Sequence, residues 1–112
     1  MPGAEADYAK AVMKPETGGA DFVVIEGLKI ANATKETGGA IVVIGRKGVV
    51  LRSIEAVNSR FGVLFNASKD CQLLNSHVHH CDNPVYVQAP CVGIMIADNH
   101  VHHPRKFDCI NL

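Results

Sequence analysis

From residue 23 onward, apolar and polar residues alternate in short runs, the period of strands with one buried face. The runs themselves repeat. VVLRSIEAVNSRFGVLFNA (49–67), CQLLNSHVHHCDNPVYVQA (71–89) and IMIADNHVHHPRKFDCINL (94–112) align at offsets of 22 and 23 residues, and each ends in the same kind of apolar strand. VVIEGLKIANATKETGGAIVVI (23–44) fits the same frame with about four extra residues near Thr34–Thr37. HVHH at 77–80 and again at 100–103 is the sharpest single correspondence.

The aligned apolar positions fall into columns. Ile25, Leu51, Leu73 and Ile96 make the first, and Ile30, Ala56, Val78 and Val101 the second. Ile41, Val63, Val85 and Asp108 make the third, followed by Val43, Phe65, Val87 and Ile110. Asp108 breaks its column, which makes the last coil the least regular. Each coil offers three short strands, with bends at Gly27, Ser53, Asn75 and Asp98. One coil cannot bury its own interior, but coils stacked at about 4.8 Å pair their backbones and pile like side chains into a core.

The pattern therefore predicts an all-β fold, a right-handed parallel β-helix of about four coils over 21–112. Helices of the βαβ kind are excluded after residue 21, because the spacing is two rather than 3.6 and the runs are rich in Val and Ile. A β-sandwich does not explain a repeat that keeps its phase. Residues 4–14 (AEADYAKAVMK) read as an amphipathic α-helix ended by Pro15, so 1–20 are expected to form a capping helix and linker over the first coil. ETGGA at 16–20 and 36–40 is a weak echo of the repeat.

VVIEGLKIANA, GVVLRSIEAVNSRFGVLF and IMIADNHVHH resemble coils of the pectin-lyase-like parallel β-helix superfamily, across nearly the whole of 21–112. Members are usually much longer, so the chain resembles an excised portion or a miniature. The resemblance implies a β-helix and, as an activity, lysis or hydrolysis of acidic polysaccharides. Such enzymes carry calcium-binding Asp clusters with an Arg or Lys base, or paired Asp, on an outer strand face. Here the first-strand outer positions are Val24, Val50, Gln72 and Met95, then Glu26, Arg52, Leu74 and Ala97. Only Glu26 and Arg52 are charged, and they read as a cross-coil ion pair of little energy.

Composition narrows the remaining choices. Lys plus Arg and Asp plus Glu balance at 11 each, which gives no bulk attraction to nucleic acid or to an anionic membrane. No apolar run approaches the ~18 residues of a spanning helix, and MPGAEADYAK lacks the layout of a signal peptide. A cytoplasmic location is expected. Cys71, Cys81, Cys91 and Cys109 form no CxxC pair and read as buried or half-buried thiols. Aromatic residues make up only 5%, leaving few platforms for sugars or bases.

On the third strand, Val42, Leu64, Tyr86 and Cys109 face outward. With the first-strand row they make two apolar stripes, more than a soluble monomer normally shows. The final strand has no capping segment after it in this sequence. Both features point to a homo-oligomer, formed through the C-terminal coil or the stripes.

The histidines suggest chemistry. His77 and His79 share the outer face of one strand, His100 and His102 sit over them, and His80 and His103 follow at the bend. Four imidazoles on a grid of roughly 5 by 7 Å can hold Zn²⁺ or serve as an acid–base cluster. Against this, flat strands do not converge tetrahedrally, and repeated HVHH is also what simple copying of a coil produces. His77, His79, His100, His102 and Glu55 are the candidate ligand-binding residues, with Lys29 extending the groove. No catalytic residue, metal set or cofactor is assigned. The expected function is a non-catalytic, oligomeric binding or scaffolding module. The alternatives are a polysaccharide lyase or hydrolase completed at a subunit interface, with a carbohydrate ligand, and a metal-binding protein using the His grid. Asn75, Asp98 and Asn99 read as ladder-forming, Arg105 and Lys106 as a solvated loop, and Asp82 and Asn83 as their cross-coil partners.

Overall fold

Among the described residues, thirteen strands, none longer than six residues, pair only in parallel. The computed structural model describes residues 11–13, 21–34 and 39–112. After β1 (Ala11–Met13) the strands come in triplets. The first triplet is β2 (Val24–Glu26), β3 (Lys29–Ala31) and β4 (Gly39–Ile44), and the second is β5 (Val50–Arg52), β6 (Glu55–Val57) and β7 (Phe61–Asn66). The third is β8 (Gln72–Leu74), β9 (His77–His79) and β10 (Asn83–Gln88). The last is β11 (Met95–Ala97), β12 (His100–His102) and β13 (Ile110–Asn111). Corresponding strands form three sheets, in the orders β2-β5-β8-β11, β3-β6-β9-β12 and β1-β4-β7-β10-β13. This is a parallel β-solenoid of about four turns.

The first two columns stack as the repeat predicts. Ile25, Leu51, Leu73 and Ile96 are consecutive partners, as are Ile30, Ala56, Val78 and Val101. The central members Leu51, Leu73, Ala56 and Val78 are fully buried, whereas Ile25, Ile96 and Val101 are only half-buried because each belongs to an outer coil. Val43, Phe65, Val63 and Val85 close the core from the third sheet.

The third column needs a correction in the last coil. Val85 pairs with Ile110, not with Asp108, and Asn111 rather than Cys109 stands beside Tyr86. From His79 to Val85 is six residues and from His102 to Ile110 eight, so two extra residues are taken up before β13. A shift of two preserves which side chains face inward, and alternation alone therefore leaves it undetected. The outer stripe on this sheet is also narrower than expected, since Val42 is buried.

Ala11–Met13 differs from the helix read over 4–14. These residues form a strand whose partners are Ile41–Val43. The edge of β4 offers a row of backbone groups, and pairing with it outweighs local helix preference. Residues 4–10, 14 and the linker to residue 20 lie outside the described residues, as do 35–38 of the inserted loop.

The corners rest on left-handed backbone. Gly27, Ser53, Asn75 and Asp98 have φ of 74°, 54°, 47° and 56°, and Asn32, Asn58, His80 and His103 have 65°, 49°, 53° and 51°. Asn, Asp and His tolerate this region better than most residues. Ladders of hydrogen bonds run between coils at the same corners: Asn58 Nδ2 donates to Asn32 Oδ1 (2.6 Å), Ser76 N to Asn99 Oδ1 (2.7 Å), and Asn99 Nδ2 to Leu73 O (2.9 Å). Arg105 closes the last loop, reaching Asp82 at 3.0 Å and Asn58 Oδ1 at 2.7 Å, so it is bound rather than merely solvated. All four thiols are free, with Cys71 and Cys81 buried and the other two half-buried.

Candidate functional site: the imidazole face

The second sheet carries two outward positions on each strand. Lys29, Glu55, His77 and His100 are successive partners at the first, and Ala31, Val57, His79 and His102 at the second. Inward Val78 and Val101 anchor the two histidine strands on the core, which fixes where the rings start. The rings then stack between coils. His77 lies over His100 and His79 over His102, each with centroids 5.0 Å apart and planes within 6°. His80 and His103 stack at 4.5 Å and 8°.

The polar contacts, however, run diagonally. His79 Nε2 meets Glu55 Oε2 at 2.8 Å, one coil back and one column across. His102 Nε2 makes the equivalent step to His77 Nε2 at 2.7 Å. The left-handed corner turns the next ring back, so His79 Nδ1 faces His80 Nδ1 at 2.6 Å, and His102 Nδ1 faces His103 Nδ1 in the same way. The Glu55 carboxylate, an acceptor only, sets the tautomer of the ring that meets it. His79 donates Nε2–H to the carboxylate and accepts at Nδ1 from His80. In the His77–His102–His103 chain every partner is an imidazole, and either ring of each pair can be the donor. Two parallel relays result, one per coil.

Electrostatics disfavour proton uptake by three of the imidazoles. Partial desolvation, reinforced by neighbouring imidazoles, lowers the pKa values of His77, His80 and His102. The His79 hydrogen bond, helped by Lys29 against some desolvation, lowers that of Glu55. These shifts favour the neutral ring at His77, His80 and His102 and the carboxylate at Glu55, the forms that metal ligation requires.

Three groups bring donor atoms within 4.8 Å of one another: Glu55 with His77 and His79; His77 with His100 and His102; His80 with His102 and His103. All five candidate residues belong to this face, and His80 and His103 join them. Their left-handed corner position is what brings them in, and nothing in the HVHH pattern signals it. A shallow concavity beside Glu55 and His77 is lined by Gly27, Leu28, Lys29 and Asn75 among others. The buried thiols of Cys71 and Cys81 are pushed up by desolvation and point into the core. On the first sheet, Arg52 Nε holds Glu26 at 3.0 Å, the cross-coil pair expected there. No family model, curated protein or solved structure matches the chain.

Proposed function

We propose that this chain is a non-catalytic binding module whose imidazole face takes a divalent transition-metal ion. The carrying observation is the set of three-donor groups with ligand atoms within 4.8 Å, each assembled from two adjacent coils. Imidazole suits Zn²⁺, Cu²⁺ and Ni²⁺, and three protein donors plus water complete a tetrahedral site. A tetrahedral ion with bonds of about 2.0–2.1 Å holds two nitrogens about 3.3 Å apart. His77 Nε2 and His102 Nε2, now 2.7 Å apart, need part by only about 0.6 Å as the shared proton leaves. The diagonal stagger supplies the convergence that two flat ranks of rings lack.

Calorimetric titration with ZnCl₂ and NiCl₂, with MgCl₂ as control, tests the reading. Micromolar binding of Zn²⁺ and Ni²⁺ and none of Mg²⁺ is expected, with at least a tenfold loss of affinity in the His77→Asn/His102→Asn double variant. Equal affinity in that variant, with circular dichroism unchanged, removes the reading.

Self-association is a second, separable reading, favoured by the last coil. β11 and β12 stand at the edges of their sheets, Val92 and Met95 are 63% and 52% exposed, and Val87, Cys91, Ile94, Ile96 and Leu112 line an apolar concavity. Edges of this kind pair with a second copy. Light scattering showing a concentration-independent single-chain mass overturns it. The finer structural reading of a right-handed coil is supported by the near-universal right hand of crossovers between parallel strands of one sheet.

A further inference from the structure

The three donor groups overlap in a particular way. The first (Glu55, His77, His79) and the second (His77, His100, His102) share His77. The second and the third (His80, His102, His103) share His102. The first and third share no residue. Each residue contributes one ligand atom to its group, and a neutral imidazole has only one lone-pair nitrogen to give, so a shared ring serves one ion at a time. An ion in the middle group therefore uses up a ligand of both neighbours, whereas ions in the two outer groups do not compete for ligands.

We infer that the face holds at most two transition-metal ions per chain, in the outer groups, and that the middle three-histidine group excludes both of them when it is filled. This rests on the metal-binding reading above and adds to it a capacity and a rule of exclusion. The outer groups differ in chemistry. Glu55 gives the first a carboxylate that offsets part of the ion's charge, while the third is all imidazole. Each outer group also takes one ring from the other's hydrogen-bond chain, His77 from His102 and His80 from His79, so loading either group breaks a contact of both chains. His77 and His102 are thus the two switching ligands, each able to serve the middle group or an outer one.

Native mass spectrometry of the full chain with excess ZnCl₂ counts the ions, and Co²⁺ absorption reports their tetrahedral coordination. The wild type is expected to bind two. His77→Asn removes the first and middle groups and leaves one ion. His102→Asn removes the middle and third groups and also leaves one. His100→Asn disables only the middle group, so it keeps two. The His77→Asn/His102→Asn double variant binds none. A wild-type count of three, or a count of one that His100→Asn does not raise to two, overturns the inference while leaving metal binding itself intact, as does loss of all binding in either single variant. A count of zero in the wild type overturns both. Thermal unfolding of each metal-free variant confirms that a lost ion is not a lost fold.

Discussion

His77 Nε2 and His102 Nε2 lie 2.7 Å apart although the residues belong to different coils and different side-chain columns. The direct neighbour of His77 is His100, which only stacks on it. Hydrogen bonding thus runs along a diagonal of the lattice, whereas the close parallel stacks run along its columns. A double-mutant cycle with His77→Ala and His102→Ala isolates the first of these. We expect a coupling of about 0.5–1 kcal/mol in metal-free protein, the range of a partly exposed neutral hydrogen bond, read from urea unfolding. Strict additivity of the two substitutions counts against the bond.

Acid destabilises the metal-free protein in two windows. His77, His80 and His102 have folded pKa values below the ordinary 6.5. Below pH 6.5 the unfolded chain therefore takes up protons that the folded chain refuses. Stability rises with pH through this window and is lost on acidification. The Glu55 carboxyl is held below 4.5, so its contribution is present above that pH and fades as the pH falls further. Urea midpoints measured from pH 8 to 4 should decline from about pH 6.5 downward, and the upper decline should shrink in His77→Asn/His102→Asn. A flat profile between pH 7.5 and 5.5 contradicts this.

Gly62 lies inside β7 where a Cβ would come within 2.4 Å of both Pro84 O and Val78 Cγ1. The clash involves backbone of the next coil, which cannot swing aside. Gly62→Ala should lower stability by about 1–3 kcal/mol, as overpacking does in close-packed cores. Chemical denaturation measures it, and a neutral result means the coils can part locally.

Ala67 occupies the left-handed region at φ 52°, where the preceding coil uses Gly45 at φ 65°. An alanine there strains its Cβ, and glycine does not. Ala67→Gly is expected to stabilise by about 0.5–1 kcal/mol, net of the entropy glycine loses on folding. A lowered thermal midpoint refutes the strain.

These positions also mark what the sequence could reveal. Leu51 over Leu73 and Val78 over Val101 follow from periodicity, because identical spacing in successive coils leaves no other register that keeps both faces satisfied. Ile110 was harder to place, since a two-residue insertion preserves alternation and only the length of the path from His102 reveals it. Ala11–Met13 reads equally well as helix or strand until an open β4 edge is beside it. At the site, the ranks His77/His79 and His100/His102 were legible from the repeated HVHH. The diagonal step from His102 to His77 depends on side-chain torsions, and the inclusion of His80 and His103 on a corner whose handedness no pattern announces.

The pitch of the imidazole ranks is set by main-chain hydrogen bonding between coils, not by the rings. The face therefore behaves as a ruled scale whose divisions the backbone engraves. A further 22-residue turn bearing HVHH, inserted in phase, would extend the scale by one division and add another relay beside the existing two. Chemistry on such a surface is tuned by counting turns rather than by reshaping a pocket.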